Sequence, residues 1–118
     1  MNVRRSDVIL LDFPYPGGVG GKLRPALVVQ NDRDNLRLAN TVIVQITSVT
    51  HRAGEATQVL IEISTPDGKQ SGLAFDSAIN CVNITMIERS RIRRRLGSLS
   101  DATMHRVDDA LKAALGLS

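Results

Sequence analysis

The sequence predicts a mainly β (α+β) domain, a small β-barrel of five to seven short strands with one C-terminal amphipathic helix. The first observation is a series of short, apolar, β-branched runs separated by turn residues, which is typical of a small barrel. The second is that helical spacing of apolar residues occurs only near the end of the chain. The third is size, because 118 residues are enough for one domain, residues 1–118, with one modest core.

Two strands are predicted on either side of a glycine-rich loop. Residues 7–13 are nearly all apolar, and the prolines that follow end the strand. The loop at residues 16–22 contains four glycines and is expected to be mobile. The second strand is expected from about residue 24 to residue 31, and residues 31–35 form a polar cluster typical of a turn.

Four further strands are predicted downstream. Residues 41–47 are rich in β-branched side chains, and a polar loop at 48–56 separates them from a strand at 57–63. Residues 64–69 contain Pro, Asp and Gly in succession and predict a hairpin connection. Residues 71–78 and 79–87 are then candidates for two more strands.

The only predicted helix begins after Ser100, a good N-cap, and ends at Gly116. Asp101 favours the positive end of the helix dipole. Apolar residues recur at helical spacing on one face, which can cover one face or one open edge of the barrel; they are Met104, Val107, Leu111, Ala114 and Leu115.

Charge and composition indicate an anionic partner and argue against several other classes. The net charge is +3, and 12 of the 15 basic residues are Arg, which binds phosphate in a bidentate manner. A GC-rich genome would also explain the arginine bias. Aromatic residues make up only 3% of the chain, so a base-stacking platform is not expected. The sequence also predicts no secretory signal, no membrane span and no disulfide, and Cys81 is expected to be a small buried side chain.

Common catalytic and cofactor motifs are absent from the sequence. No CxxC, HExxH or P-loop pattern occurs, so no metal and no cofactor is predicted. Arg24 remains, at the junction of the glycine loop and an apolar strand, which is a good position for gripping a phosphate. An ion pair with Asp12 or another strand-end carboxylate is the alternative for Arg24. For Thr47 the alternative interpretation is that it is an ordinary strand residue.

Several segments, in order, resemble the MazF/PemK family of toxin endoribonucleases. The family begins with a G-D-hydrophobic-hydrophobic segment ending in D-F/L-x-P, and Ser6-Asp7-Val8 through Asp12-Phe13-Pro14 stands there. The segment R-P-A-L-V-V-Q-N-D at 24–32 matches the family's next strand, and I-T-S at 46–48 matches the strand after it. The segment at 87–92, followed by the C-terminal residues, extends the resemblance to nearly the whole chain.

The resemblance implies an SH3-like barrel and a metal-independent, sequence-selective endoribonuclease, with Arg24 and Thr47 as the catalytic residues. Such toxins cleave single-stranded RNA, leaving 2′,3′-cyclic phosphate and 5′-hydroxyl ends. The resemblance also implies a homodimer, a cognate antitoxin and a location in the bacterial cytoplasm. The candidates for RNA binding are polar or glycine residues near the two catalytic positions, together with one strand amide: Gly17, Gly18, Lys22, Ser48, His51, Arg52 and Asn83.

Two features leave alternatives open. The segment Val82-Asn83-Ile84-Thr85 departs from the family pattern, which has an acidic residue, Gln, a hydrophobic residue and a basic residue. A non-catalytic module of the same architecture, such as a CcdB-like gyrase poison or a plain RNA-binding barrel, is therefore the alternative. Three roles are open for the arginine run at 89–95: a solvated strand edge, an RNA contact, or a docking site for an acidic antitoxin. Antitoxin docking is slightly favoured for Arg93, Arg94 and Arg95.

Overall fold

Six strands form one antiparallel sheet in the computed structural model, which describes residues 2–12 and 22–118. The strands are β1 (Asp7–Asp12), β2 (Leu23–Val28), β3 (Asn40–Thr47), β4 (Gln58–Ile61), β5 (Ser77–Glu88) and β6 (Ile92–Ser98). Their order in the sheet is β4-β5-β3-β2-β1-β6, and every neighbouring pair is antiparallel. A mainly β fold with five to seven strands is therefore confirmed.

The central strands are buried on both faces, which explains why their sequences are nearly continuously apolar. Alternate residues of a strand point to opposite faces of a sheet. Val8 of β1 and Leu27 of β2 belong to one apolar cluster, whereas their neighbours Ile9 and Val28 belong to a second cluster. The first cluster also contains Met104 and other residues of the C-terminal helix, so that helix completes one of the two cores.

The C-terminal helix α3 (Asp101–Leu115) begins and ends where the sequence predicts. The Ser100 hydroxyl oxygen accepts a hydrogen bond from the Thr103 N–H at 3.2 Å, and Gly116 has a left-handed φ of 70°. Met104 and Val107 are buried, and Leu111 and Ala114 pack against the same core. Leu115, expected on this face, is instead 59% exposed at the last position of the helix.

Two short helices stand where turns were expected, so the prediction of a single helix is wrong. Helix α1 (Asp32–Arg37) begins at Asn31, whose side chain accepts from the Asp34 N–H at 2.9 Å. Helix α2 (Pro66–Ser71) replaces the expected hairpin connection, with Pro66 in its first turn. The Thr65 hydroxyl caps α2 by accepting from the Gly68 N–H at 3.0 Å. These side-chain caps stabilise helices that are too short to show apolar periodicity.

Residues 77–88 form one long strand, β5, rather than the end of one predicted strand and the whole of the next. Its register against β3 shifts between Val44, which faces Ile84, and Gln45, which faces Asn80. Three residues of β5, Cys81 to Asn83, are therefore accommodated between two successive residues of β3. This bulge bends β5, so its first part pairs with β4 and its later part extends along β3 only.

The sheet is not closed into a barrel, which corrects that part of the prediction. In the described residues β4 and β6 are the two edges of the sheet. Helix α2 lies against β6, and α3 lies against β4 and β5. A Cβ placed on Gly97 of β6 would lie 2.2 Å from the carbonyl oxygen of Gln70 in α2, so this close approach requires glycine. The helices thus cover the opening that strand pairing leaves.

Candidate functional site

A cleft of about 380 Å³ opens where the start of β2, the end of β3, the segment after α2 and β6 come together. We call it the substrate cleft. Arg24, Thr47, Ser48 and Arg94 all line it. Its other lining residues are uncharged: Leu10, Pro25, Gln45, Ile46, Val49, Gly72, Leu73, Ala74, Phe75, Ser77 and Leu96. Both charged groups that line it, among residues 2–12 and 22–118, are therefore guanidinium groups, and the cleft is suited to an anion.

Strand register brings Arg24 and Thr47 to the same end of the sheet. Ala26 of β2 faces Gln45 of β3. Continuing that antiparallel register by two residues puts Arg24 opposite Thr47, beyond the last paired residues of the two strands. Thr47 is itself paired with Ala78 of β5, so its backbone is held by the sheet. A rigid strand thus presents the threonine, and an exposed strand end presents the arginine.

The Thr47 hydroxyl is oriented by its own turn. Its oxygen accepts a hydrogen bond from the Val49 N–H at 3.1 Å. A hydroxyl that accepts one hydrogen bond still has its proton to donate. Thr47 is therefore prepared to donate to an oxygen of a ligand in the cleft, and its unactivated hydroxyl is a poor base.

The β5 bulge is tied to the cleft through Gln45. The side-chain amides of Asn80 and Asn83 both donate to Oε1 of Gln45, each at 3.4 Å. The Thr85 hydroxyl in turn donates to Oδ1 of Asn83 at 3.2 Å. The segment at 82–85 that departs from the family pattern therefore contacts a residue of the cleft wall without lining the cleft itself.

The arginine run divides into paired and cleft-lining members. Arg93 donates to the Asp12 carboxylate at 3.3 Å, and Arg95 donates to the Asp7 carboxylate at 2.9 Å. Arg94, between them, lies opposite Leu10 of β1 and lines the substrate cleft. The three arginines, which the sequence groups together, therefore have different surroundings, and Arg94 is the one placed beside Arg24 and Thr47.

The structure brings together only some of the other predicted RNA-binding residues. Gly17 and Gly18 lie outside the described residues, so the mobility of the glycine loop stays a prediction. Ser48 lines the substrate cleft, but Lys22, His51 and Arg52 are exposed residues that do not. Asn83 is half-buried and reaches the cleft only through Gln45.

Sequence reasoning missed Phe75, which is 70% exposed and lines the substrate cleft. The prediction put Phe75 inside a strand, where an aromatic residue is ordinary. The signal that could have found it is its context, because Gly72 and Asp76 are poor strand residues and mark a loop.

Cys81 is buried, as the sequence predicts. Burial raises the pKa of its thiol from 9.0 to about 11. The thiolate is the nucleophilic form, so this cysteine is unreactive at neutral pH. Among the described residues, no three His, Cys, Asp or Glu side chains cluster as metal ligands. No helix in the described part of the chain is both long and apolar enough to cross a membrane.

Comparison with a protein-family model gives a match over residues 4–115. The model describes the PemK-like, MazF-like toxin of type II toxin–antitoxin systems. The match includes both charged residues that line the substrate cleft, Arg24 and Arg94.

Comparison with solved structures gives the same result for the fold. An endoribonuclease from a mycobacterial species, solved with its cognate antitoxin, is 28% identical and has a TM-score of 0.79, with 98% of this chain and 97% of that chain covered. A second mycobacterial endoribonuclease is 27% identical, with a TM-score of 0.76 and coverage of 99% and 94%. A MazE–MazF structure from Deinococcus radiodurans, at 20% identity, a TM-score of 0.75 and full coverage of both chains, shares the fold.

Proposed function

The chain belongs to the PemK-like, MazF-like family of toxins of type II toxin–antitoxin systems, and from this membership we propose that it is an endoribonuclease acting on single-stranded RNA. The observation that carries the proposal is the substrate cleft, in which Arg24, Arg94 and Thr47 surround a space with no carboxylate among its described lining residues. A polyanion with exposed sugar hydroxyls suits such a site. The endoribonucleases from mycobacterial species that share the fold support this activity.

The cleavage we propose uses the nucleophile that RNA itself supplies. The 2′-oxygen attacks the adjacent phosphorus as its proton passes to water. The bond from phosphorus to the 5′-oxygen breaks as that oxygen takes up a proton from water, and the products carry a 2′,3′-cyclic phosphate and a 5′-hydroxyl. Negative charge accumulates on the non-bridging phosphate oxygens in the transition state. The Arg24 guanidinium stabilises that charge. Thr47 donates a hydrogen bond to a phosphate oxygen or orients the 2′-hydroxyl.

The proposed partners are a second copy of this chain and a cognate antitoxin, in the bacterial cytoplasm. Support for a protein contact comes from β5, where Val82, Ile84 and Met86 alternate along the strand and are all exposed. An exposed apolar stripe of this kind is typical of an interaction surface. The mycobacterial endoribonuclease that shares the fold was solved with its cognate antitoxin, which supports the second partner.

We expect the purified protein to cleave a long single-stranded RNA in excess EDTA, because the RNA hydroxyl and the protein side chains suffice for the reaction. The measurement is 5′-end mapping of the products, with a test for cyclic phosphate at the 3′ ends. A limited set of cleavage sites is expected, since we also propose that the enzyme is sequence-selective, as the family resemblance implies. Activity that EDTA abolishes and a divalent cation restores would contradict the mechanism. Absence of RNA cleavage under all conditions would favour the non-catalytic, CcdB-like alternative. That alternative is based on the segment at 82–85, which departs from the family pattern.

Arg94 is expected to contribute to RNA binding, whereas Arg93 is not. Replacing Arg94 with Gln removes one cation from the cleft, so the slope of log binding constant against log salt should flatten by about 0.7. Arg93→Gln is the matched control, since it removes the same charge from a residue paired with Asp12 outside the cleft. The measurement is RNA binding by fluorescence anisotropy at several salt concentrations. Equal slopes for the two variants would contradict an RNA contact at Arg94, and weaker neutralisation by antitoxin would then favour partner docking.

A further inference from the structure

Phe75 is a large apolar side chain held at the protein surface between two concave regions. Its side chain is 70% exposed, although phenylalanine is normally buried. It lines the substrate cleft and also an adjoining groove, which we call the side groove. Ser48 is likewise shared by both, and the other residues of the side groove are Thr50, Ile63, Ser64 and Asp76. Phe75 therefore stands at the boundary between the cleft that holds Arg24 and Thr47 and a second, neighbouring space.

The backbone that leads to Phe75 is fixed at its N-terminal side. Gly72 ends α2 with a left-handed φ of 73°, and a Cβ there would lie 2.1 Å from the carbonyl oxygen of Leu96. Leu73 is half-buried and packs against the apolar cluster beneath α3. The chain is thus anchored to β6 and to the core two residues before Phe75.

The backbone is also fixed on the C-terminal side of Phe75. The Asp76 carboxylate accepts a hydrogen bond from the Ile63 N–H at 2.8 Å. The hydroxyl of the buried Ser77 donates to the carbonyl oxygen of Phe75 itself at 2.8 Å. Only the two side-chain torsions of Phe75 remain free, so ordering the ring against a ligand costs little conformational entropy.

We propose that Phe75 is a stacking surface for a nucleobase beside the scissile phosphate of the RNA substrate, with the side groove receiving the edge of that base. The inference rests on the proposed function, since it assigns a position to a nucleotide of the same substrate. Aromatic side chains bind single-stranded nucleic acid by stacking on the faces of bases. Ser48, Thr50 and Ser64 place hydroxyl groups along the side groove, and such groups can hydrogen-bond a base edge.

Charge complementarity favours a nucleotide over an apolar protein segment as the occupant. The ring of Phe75 lines the same cleft as the guanidinium groups of Arg24 and Arg94. A ligand that satisfies this combination carries anionic groups and a flat apolar face within one short unit. A nucleotide of single-stranded RNA has both. Stacking also tolerates different bases, so any selectivity at this position arises from the hydroxyl groups and the Asp76 carboxylate of the side groove.

The test compares three replacements of Phe75 in an equilibrium binding assay. Phe75→Ala removes the ring, Phe75→Leu keeps apolar bulk without an aromatic face, and Phe75→Trp keeps a stacking surface. The probe is a fluorescein-labelled, random-sequence, single-stranded 2′-O-methyl RNA, which lacks the attacking hydroxyl. Leu36→Ala is the matched control, since Leu36 is 82% exposed on α1 and does not line the cleft.

We expect Phe75→Ala to weaken binding roughly 5- to 150-fold, which is the effect of losing one base–aromatic stack. RNA binding by Phe75→Leu should be weakened nearly as much. Phe75→Trp and Leu36→Ala should bind RNA as tightly as the unsubstituted protein. The salt slope should stay unchanged in all of them, because no phosphate contact is lost. Unchanged melting temperatures would separate this effect from a loss of folding.

Three outcomes would overturn the inference, and all of them leave the proposed function standing if the unsubstituted protein cleaves RNA in EDTA. The first is wild-type binding and wild-type choice of cleavage sites in Phe75→Ala. The second is RNA binding by Phe75→Leu that is as tight as binding by Phe75→Trp, which would show that the site needs only apolar bulk. If Phe75→Ala instead binds RNA normally but resists neutralisation by antitoxin, the ring contacts the protein partner and the stacking role is wrong. Failure of the unsubstituted protein to cleave RNA would overturn the proposed activity, while the binding assay would still decide the role of Phe75.

Discussion

Replacing Arg24 with Ala should lower kcat/KM for RNA cleavage by on the order of 10²-fold or more. The transition state carries extra negative charge on the phosphate oxygens, and removal of one preorganised donor to such charge typically costs this much. The fold should survive, because Arg24 is an exposed residue near the start of β2 and the buried side chains of that strand lie further along it. Initial rates on a short RNA containing one mapped site give the comparison.

Arg24→Lys is the informative companion to Arg24→Ala. Lysine restores the positive charge but not the planar, bidentate donor, so it should recover RNA binding more than kcat. Circular dichroism and the melting temperature of each variant should match those of the unsubstituted protein. An Arg24→Ala protein that is folded and cleaves at the original rate would show that Arg24 has a different role, such as the strand-end ion pair considered from the sequence.

The first four strands were predictable because each has a largely apolar sequence bounded by turn residues. Strand β6, with three successive arginines, was not one of the predicted strand segments. The first four predicted strands correspond to β1 to β4, with differences at their ends. The C-terminal helix was predictable from its N-cap, its periodicity and its terminal glycine. In these segments local sequence preference and tertiary packing favour the same structure.

The parts that the sequence did not predict depend on contacts that periodicity does not report. Helices α1 and α2 are six residues each, too short for a 3.6-residue pattern, and their caps resemble ordinary turn residues. The predicted boundary between residues 78 and 79 falls inside β5, ahead of the bulge at Cys81 to Asn83, so the bulge does not explain it. Closure of the barrel is a property of the whole sheet, because it depends on whether the edge strands β4 and β6 pair with each other.

The site was predictable to the extent that the family resemblance could indicate it. Arg24 and Thr47 are separated by more than twenty residues, and only the pairing of β2 with β3 brings them to one cleft. Arg94 could not be separated from Arg93 and Arg95 in the sequence, because the distinction depends on which of them meets Asp7 or Asp12. Identifying Phe75 as a cleft residue requires the position of the loop after α2, because the sequence pattern predicts a strand there.

Replacing Thr47 with Val should lower kcat by on the order of 10²-fold, with a smaller change in KM. Valine keeps the β-branched shape that suits the end of β3, so the main loss is the hydroxyl that donates to the reacting phosphate or orients the 2′-hydroxyl. The substitution also removes the acceptor for the Val49 N–H, 3.1 Å away, so Thr47→Ser is needed as a control that keeps both functions of the hydroxyl. Thr47→Ser should retain most of the activity, and single-turnover rates at saturating RNA would isolate the chemical step. If Thr47→Val is folded and its single-turnover rate equals that of Thr47→Ser, the hydroxyl takes no part in cleavage and the threonine serves only as a residue of the strand.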